Sequence, residues 1–585
     1  MSTQENLFWT EKISLGTIRD PLQLAVFRFP DQYFLTGITT QTQRIRYYTF
    51  LTWAWNQIKE KKSDRKKILD MEKILALVSA QHHENGDEPS GIRNIGDPKN
   101  GAKKFLLGNS QIDVEKFGTT ESGTSFGRNN RYGYGEYYHR GPLANLDVVW
   151  KDEKNELIIS PAGKEISTIF SEYIGKNKDK IWAKTLTKPD LQKMVSLCCC
   201  SIPTEEQSFW KNVFFGLTTL GKDGLKIDHE KQLEILDPDE LSFEKFKISE
   251  DKVMEISEGK VTEDDIILDD LNFEVQEDIA SKTMRQGTLF LLLEIINNSK
   301  PEKKSLSQTI RDCIYYSEFQ AKGKISTINF NKLEPYRKYW EVYVHNLYYV
   351  TIFEKTLSII LDISKQKATG IEIDELVSKI DTRKFLDSVR KFGGFQISDS
   401  DNVQTVYEKL KSVIGGKKTT LSSPINEHDL LEKIRNTDDR TETLGLIFIL
   451  FLLCKYRYSS FHKEELRILS YKEDRFHNIH PRTRYEKFSN IPVTEFPERL
   501  LKFVIKRHRR VSAKKLINNN TKAWLFTIED DFLYFNEDYK FQQYRDAKWK
   551  YVLEIMNDLG LIQNNSDKEI WEITKEGEEW LKKIQ

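Results

Sequence analysis

One pattern of residues occurs near both ends of the chain and restricts the folds that are open to it. It appears as GPLANLDVVWKDEKNELIISPAGKEISTIF from Gly141 and as VLEIMNDLGLIQNNSDKEIWEITKEGEEWLKKI from Val552. In each copy, apolar residues at helical spacing precede an apolar strand, a polar turn, a second strand and an amphipathic helix. A Ser or Thr three residues before a Gly marks the start of that last helix. We therefore expect both ends to fold as copies of one unit.

The expected strands and their spacing agree closely in the two copies. The strands are 148–150 and 157–159 in the first copy, and 561–562 and 570–573 in the second. Leu146 to Gly163 spans 17 positions and Leu559 to Gly577 spans 18, so the copies differ by one residue in the turn. This order of elements resembles the winged-helix variant of the helix-turn-helix family. The resemblance covers about 60 residues at each end and implies either DNA binding or protein docking.

The length of the chain predicts several domains, because 585 residues are too many for one core. Long apolar helices are expected at 288–298, 338–364 and 441–458. We expect a mainly α, multi-domain protein, with a helical core and winged-helix (α+β) modules near the N-terminus and at the C-terminus. The expected segments are 1–180 with the first module, 181–300 with an acidic insertion, helical 301–420, helical 421–520 with a basic stretch, and 521–585 with the second module.

Charge is balanced over the whole chain but segregated along it. The 89 basic and 89 acidic residues give a net charge of zero, so the chain is not a polycation. From 226 to 278 there are 19 acidic and 6 basic residues, whereas from 455 to 515 there are 17 basic and 7 acidic residues. Either the basic region binds a partner, or both regions are solvated faces or pair with each other.

The basic stretch VIKRHRRVSAKKL, from Val504, is the candidate for contact with nucleic-acid phosphates. On a helix, Val504, Ile505, Val511 and Leu516 would anchor it to the protein. The candidate binding residues are Lys506, Arg507, Arg509, Arg510, Lys514 and Lys515, and Arg482 and Arg484 extend the patch. We expect the partner to be DNA, double-stranded in preference to single-stranded. Neutralising six phosphates would make its binding steeply dependent on salt concentration. The alternative is a solvated helix that pairs with the acidic region.

The aromatic stretch TTQTQRIRYYTFLTWAW, at 39–55, predicts a core helix, since apolar and aromatic residues surround the whole helix. A surface that stacks bases would instead expose its rings on a sheet or loop. Arg44 and Arg46 would lie at the start of this helix. We expect them to pair with carboxylates such as Asp20 or to reach solvent.

No complete catalytic, metal or cofactor motif is present. GLTTLGKDG, from Gly216, resembles a phosphate-binding loop but has Asp223 where a Ser or Thr must hold magnesium, and it follows a predicted helix. Candidate zinc ligands are Cys454, His462, His477 and His480, together with HHENGDE from His82, and none forms a Cys-x-x-Cys pair. We therefore expect no catalytic residue, no bound metal and no cofactor. Carboxylates such as Glu263, Asp264 and Asp265 leave open a metal-dependent nuclease.

Cysteine usage and hydropathy predict a cytoplasmic protein without a membrane partner. An odd total of five cysteines, with Cys198, Cys199 and Cys200 adjacent, does not suit a disulfide framework. The longest apolar run, 444–454, is far shorter than the roughly 20 residues that a membrane span needs.

Four features of the chain occur together in one known group of proteins. They are Gly16, the helix from Thr42 to Trp53, the segment from Gly141 to Leu146, and the W-x-x-Y-x-x-N-x-x-Y-like helix from Trp340 to Tyr348. In these features the chain resembles a group of large uncharacterised prokaryotic proteins met in phage-defence gene clusters. The resemblance implies partners such as a helicase and a phospholipase-D-like nuclease, and it assigns no catalytic residue. We expect a non-catalytic DNA-binding or scaffolding subunit of an anti-phage defence complex. The alternatives are a metal-dependent defence nuclease and a winged-helix transcriptional regulator.

Overall fold

The structure is a computed structural model that describes part of the chain. The described residues are 22, 34–38, 44–61, 66–83, 102–117, 143, 146–151, 157–221, 224–228, 279–416, 418–461, 485–517, 524–537, 549–565 and 569–584. They are mainly helical, as expected, and their strands form small antiparallel sheets. Among them, no helix is both long enough and apolar enough to cross a membrane.

The chain divides into two compact units, each built from separate stretches of sequence. The larger unit comprises Phe27–Lys247, Leu268–Trp340 and Asp546–Gln585, and the smaller unit comprises Met1–Val26, Ile248–Ile267 and Glu341–Arg545. The five contiguous segments expected from the sequence stay a prediction. The helices expected at 288–298, 338–364 and 441–458 are confirmed as Ile279–Ser299, Glu334–Ser364 and Arg440–Tyr458.

The larger unit combines helices with two-stranded hairpins. Its described α-helices are Ile45–Lys61, Lys66–His82, Ala102–Gly108, Pro161–Ile174, Lys188–Lys193, Thr204–Phe214, Ile279–Ser299, Leu306–Tyr316, Trp549–Asp558 and Lys575–Lys582, and the first turns of Glu334–Ser364. Its paired strands are Gln111–Asp113 with Thr185–Thr187, Val149–Lys151 with Leu157–Ile159, Thr218–Gly221 with Gly224–Ile227, Glu318–Ala321 with Lys324–Thr327, and Ile562–Asn565 with Ile570–Ile573.

The helix Ile45–Lys61 is confirmed as a core helix of the larger unit. It packs against the helix Pro161–Ile174, and its large rings, Trp53 among them, are fully buried. Trp53 Nε1 donates a hydrogen bond to Ser171 Oγ at 2.8 Å, so the buried indole keeps a polar partner. The aromatic stretch is therefore interior packing, since no stacking face is left open on the described part of this helix.

The two arginines of this stretch find partners that are remote in sequence. Arg44 pairs with Asp558 at 2.8 Å, and Asp558 also accepts a hydrogen bond from the backbone N–H of Ile45 at 2.9 Å. Arg46 is fully buried and pairs with Glu206 at 2.9 Å. The expected pairing of both arginines with carboxylates is confirmed. The alternative, that Arg46 reaches solvent, is wrong, because the helix that carries Glu206 covers it. Asp20 lies outside the described residues.

The smaller unit is built around the helix Arg440–Tyr458. Its other described helices are Ile373–Ser378, Thr382–Gly393, Val403–Ile414, Glu427–Asn436 and Phe496–Ile517, together with the remainder of Glu334–Ser364. Phe532–Phe535 is the central strand between Phe526–Glu529 and Ile371–Glu372. Gly445 lets Arg440–Tyr458 approach Thr382–Gly393, because a Cβ at this position would lie 2.6 Å from the Cβ of Ser388.

The repeated pattern has the same local structure in both copies. Ser160 in the first copy and Thr574 in the second cap a helix by accepting a hydrogen bond from Gly163 N and Gly577 N, each at 3.0 Å. The backbone N–H and side-chain hydroxyl of each cap residue donate to one carbonyl of the first strand region, each at 3.1 Å. That carbonyl belongs to Val148 in the first copy and to Leu561 in the second.

The features that the two copies share have physical reasons. A Cβ on Gly163 would overlap the carbonyl oxygen of Val148, and a Cβ on Gly577 would overlap the carbonyl oxygen of Leu561. The residue before each carbonyl has a left-handed backbone, with φ of 53° at Asp147 and 74° at Gly560. The two expected strands and the helix that follows them are therefore confirmed in both copies. The second strand of each copy has the expected bounds, and the first strand begins one residue later than expected. The turns between the strands lie at least partly outside the described residues.

Candidate nucleic-acid interface and a histidine–cysteine cluster

The basic stretch lies on the helix Phe496–Ile517 of the smaller unit, as the sequence predicts. Val504, Ile505 and Val511 are buried and anchor the helix. His508 is also buried, and its Nε2 accepts a hydrogen bond from the backbone N–H of Leu525 at 3.1 Å. Leu516 was also expected to anchor the helix, and its side chain is outside the described ones. This anchoring holds the basic side of the helix in a fixed place.

The candidate phosphate-binding residues fall into three groups. Lys506, Arg509 and Arg510 are exposed. Arg507 is half-buried, and its Nε donates to the backbone carbonyl of Leu22 at 3.1 Å, so it has a structural contact. The remaining candidates lie outside the described side chains: Lys514 and Lys515, whose backbone is helical, and Arg482 and Arg484.

The three exposed cations share one side of the helix. Arg509 and Arg510 are three and four residues after Lys506, so each of them is a neighbour of Lys506 on the helix surface. Like charges at these spacings repel each other by about 0.2–0.5 kcal/mol per pair. An anion that binds across them relieves that repulsion, which makes this side suitable for a phosphate chain.

A cleft of about 380 Å³ runs beside this helix. Its wall on the helix carries Lys502, Lys506 and Arg509. The facing wall carries three carboxylates, and they are Glu372, Asp374 and Asp531. Since each wall carries three charges of one sign, the cleft is balanced as a whole, and a phosphate entering it must compete with the carboxylates.

Lys502 shows that competition directly. Its Nζ lies 2.8 Å from Asp374 and 2.9 Å from Glu498, and hydrogen bonds to these carboxylates raise the pKa of Lys502. It is therefore already neutralised by the protein. The sequence also left open that the basic helix pairs with the acidic region. Most of that region, 229–278, lies outside the described residues.

Four potential metal ligands that the sequence analysis did not connect meet in the larger unit. One ligand atom from each of His82, His83, Cys198 and Cys200 lies within 4.8 Å of the others. Cys200 Sγ lies 3.4 Å from His82 Nδ1 and 3.4 Å from Cys198 Sγ. Hydrogen bonds from the thiols of Cys199 and Cys200 lower the pKa of Cys198, which favours a thiolate at that position.

The other zinc candidates do not assemble around a described site. Cys454 is buried in the helix Arg440–Tyr458, and His462, His477 and His480 lie outside the described residues. All five cysteines are described and none forms a disulfide, which agrees with the sequence prediction. The sequence signals for this cluster are a His-His pair, His82 and His83, and a Cys-x-Cys pair, Cys198 and Cys200, in place of the Cys-x-x-Cys pair.

Two further motifs have clear outcomes. The segment GLTTLGKDG forms an antiparallel hairpin, with Gly221 paired to Gly224, and not the strand-to-helix loop that binds phosphate. Lys222 and Asp223, where the glycine-rich turn was expected, lie outside the described residues. Glu263, Asp264 and Asp265, the carboxylates of the nuclease alternative, lie outside the described residues.

Comparison with known proteins adds no family to this picture. No protein-family model, no curated protein and no solved structure matches the chain.

Proposed function

We propose that this protein is a non-catalytic DNA-binding or scaffolding subunit of a prokaryotic anti-phage defence complex. In this proposal, the helix Phe496–Ile517 contacts the phosphates of duplex DNA through Lys506, Arg509 and Arg510. One observation carries the proposal: three cations are exposed on one side of a helix whose opposite side is anchored by buried apolar residues. The role in defence, with a helicase and a phospholipase-D-like nuclease as partners, rests on the resemblance of the sequence segments.

The two copies of the repeat are winged-helix-like modules in this proposal, and the second copy does not read DNA bases. In winged-helix and related proteins, the helix before the hairpin enters the major groove. The corresponding helix of the second copy, Trp549–Asp558, has most of its residues buried. Trp549 packs against Trp340, with ring centroids 5.7 Å apart, and Asp558 is occupied by Arg44.

The hairpin of the second copy is also engaged by other parts of the larger unit. Ile570 pairs with Glu302, and the N–H of Trp571 donates to the carbonyl of Pro301 at 3.0 Å. On the following helix, the ring centroid of Trp580 lies 4.7 Å from that of Phe215. A motif packed in this way supports a scaffold, and it favours a subunit over a free-standing transcriptional regulator.

Contact through phosphates alone predicts weak binding without sequence preference. Non-specific complexes have dissociation constants of about 10⁻⁴ to 10⁻⁶ M at physiological salt. The carboxylates of the cleft, Glu372, Asp374 and Asp531, oppose binding on one side of the helix. We therefore expect useful affinity for DNA only at low salt or when a partner protein holds the DNA nearby.

The test is a fluorescence-anisotropy titration of a labelled duplex with the full chain at low salt. The variant Lys506→Glu, Arg509→Glu, Arg510→Glu should weaken binding by at least about 100-fold, because each change replaces attraction to a phosphate by repulsion. The control is Lys324→Glu, Lys332→Glu, Arg383→Glu, which makes the same change in net charge at three other exposed positions. The control variant should bind within about threefold of the wild type.

Three results would contradict the proposal. They are no binding of the wild type to duplex at low salt, equal weakening in both variants, and Mg²⁺-dependent cleavage of the duplex by the purified chain. The scaffolding part is tested by co-expression with the products of neighbouring genes. Co-purification of a helicase or nuclease would support it, and elution of this chain alone would count against it.

A further inference from the structure

The histidine–cysteine cluster joins two places that are far apart in sequence. His82 is the last residue of the helix Lys66–His82, and His83 follows it, with its N–H donating to the carbonyl of Ser79 at 3.1 Å. Cys198 and Cys200 follow the short 3-10 helix Val195–Leu197. Each place thus supplies a close pair of ligands, which is how structural zinc sites are usually assembled.

The local backbone explains why the outer two cysteines of the trio face the histidines. The N–H of Cys198 donates to the carbonyl of Val195, and the N–H of Ser201 donates to the carbonyl of Cys198, so the chain turns tightly through the trio. Cys198 and Cys199 are both fully buried, but only Cys198 and Cys200 belong to the cluster. The three adjacent cysteines therefore have different roles, one in packing and two as possible ligands.

Neighbouring side chains hold this turn in position. Asn177 donates hydrogen bonds to the carbonyl of Lys193 and to Ser196 Oγ, at 3.1 and 3.4 Å. Ser201 Oγ is hydrogen-bonded to the hydroxyl of Tyr173 at 2.7 Å. Both sides of the Cys198–Cys200 turn are thus fastened to the rest of the larger unit before any ion binds.

The spacing of the ligand atoms suits a tetrahedral zinc ion. Bonds of about 2.3 Å to sulfur and about 2.0–2.1 Å to nitrogen place the ligand atoms of such a site about 3.3–3.8 Å apart. The two distances from Cys200 Sγ, to Cys198 Sγ and to His82 Nδ1, are both 3.4 Å. The widest separation in the cluster, no more than 4.8 Å, needs an adjustment of about 1 Å, which side-chain rotation supplies.

The histidines are also suitable as ligands. Their ring centroids are 4.7 Å apart, so both imidazoles stand beside the same small volume. The Nε2 of His83 is buried and has no hydrogen-bond partner among the described atoms. A buried ring nitrogen without a partner is costly, and binding a metal would remove that cost.

We propose that His82, His83, Cys198 and Cys200 bind one zinc ion in a closed structural site. The ion ties the end of the helix Lys66–His82 to the turn at 198–200, and it stabilises the larger unit. Four protein ligands leave no open position for a substrate, so the site is structural and not catalytic. The proposal is independent of DNA binding, because its test measures metal content and stability.

The first measurement is the zinc content of the full chain, purified under reducing conditions without a chelator. The wild type should hold about one zinc ion per chain, and His82→Ala and Cys200→Ser should each lower metal affinity by more than about 100-fold. The control Cys454→Ala removes a buried cysteine of the smaller unit and should keep the full zinc content.

The second measurement needs only the wild type, so it holds even if a variant fails to fold. Replacement of zinc by Co²⁺ should give the visible bands of tetrahedral cobalt and a thiolate charge-transfer band in the near ultraviolet. A strong chelator should remove these bands and lower the melting temperature. Wild-type protein with less than about 0.1 zinc per chain and no cobalt bands would overturn the proposal, as would a Cys198–Cys200 disulfide in the reduced preparation.

Discussion

Replacing Gly577 by alanine tests the physical basis of the repeated pattern. A Cβ at this position would lie 2.7 Å from Cγ1 of Ile573 and 3.0 Å from the carbonyl carbon of Leu561, with the carbonyl oxygen closer still. Real Cβ atoms essentially never come nearer than 3.0 Å to such neighbours. The carbonyl of Leu561 must therefore move, although it accepts a hydrogen bond from the backbone N–H of Thr574 at 3.1 Å. It also accepts a second one from the Thr574 hydroxyl at 3.1 Å, which that hydroxyl shares with the carbonyl of Gly560 at 2.6 Å.

The expected cost follows from these contacts. Loss of two hydrogen bonds costs about 1–3 kcal/mol, and overpacking of a tight site costs about 1–3 kcal/mol. Alanine gains up to about 1 kcal/mol over glycine from helix propensity and the unfolded state. The losses outweigh the gain, so the free energy of unfolding should fall by about 2–4 kcal/mol.

The assay is thermal unfolding followed by tryptophan fluorescence and circular dichroism. A loss of this size should lower the melting temperature of the larger unit by about 3–6 °C. Gly163→Ala should have a similar effect, because its Cβ would meet the Val148 carbonyl in the same way. Gly108→Ala is the matched control, since no atom lies within 4 Å of its Cβ position. The reasoning would be refuted if Gly577→Ala were as stable as Gly108→Ala.

Two further predictions concern the cores of the two units. Burial raises the pKa of Glu206 despite the attraction of Arg46, so its contribution to stability is present below about pH 4.5 and is lost as the pH rises through the folded-state pKa. The side chain in Glu206→Gln cannot titrate. Between about pH 4 and about pH 8, the free energy of unfolding of this variant should therefore fall less than that of the wild type, as measured by urea titration. A variant with the same pH profile as the wild type would contradict this. Gly445→Ala should destabilise the smaller unit by about 1–3 kcal/mol through its contact with the Cβ of Ser388. Adding Ser388→Gly should restore part of that loss in chemical denaturation, and a double variant no more stable than Gly445→Ala would argue against the contact.

Local signals made the secondary structure predictable. The caps at Ser160 and Thr574, and the strands that precede them, follow from spacing over fewer than about 20 residues. The burial of the helix Ile45–Lys61 follows from its all-round apolar pattern. The close approach of Gly577 to the Leu561 carbonyl was not predictable, because spacing gives no distance between a strand end and a helix.

Contacts between remote residues could not be read from the sequence. Arg44 finds Asp558, 514 positions away, where a nearby Asp20 was expected. His82 and His83 meet Cys198 and Cys200 only because the helix Lys66–His82 packs against the Val195–Leu197 segment. The carboxylates beside the basic helix come from the strand Ile371–Glu372 and its neighbours, and nothing in the basic stretch indicates them.

The salt dependence of DNA binding tests the phosphate-contact account most directly. Each phosphate contact contributes a slope of about −0.9 to log K against log salt concentration. Removing three cations with Lys506→Ala, Arg509→Ala, Arg510→Ala should therefore make the slope less steep by about 2.7. Between about 50 and 200 mM salt, these three contacts account for a roughly 40-fold loss of wild-type affinity. A wild-type slope near zero, or a slope that the triple alanine variant leaves unchanged, would contradict the account.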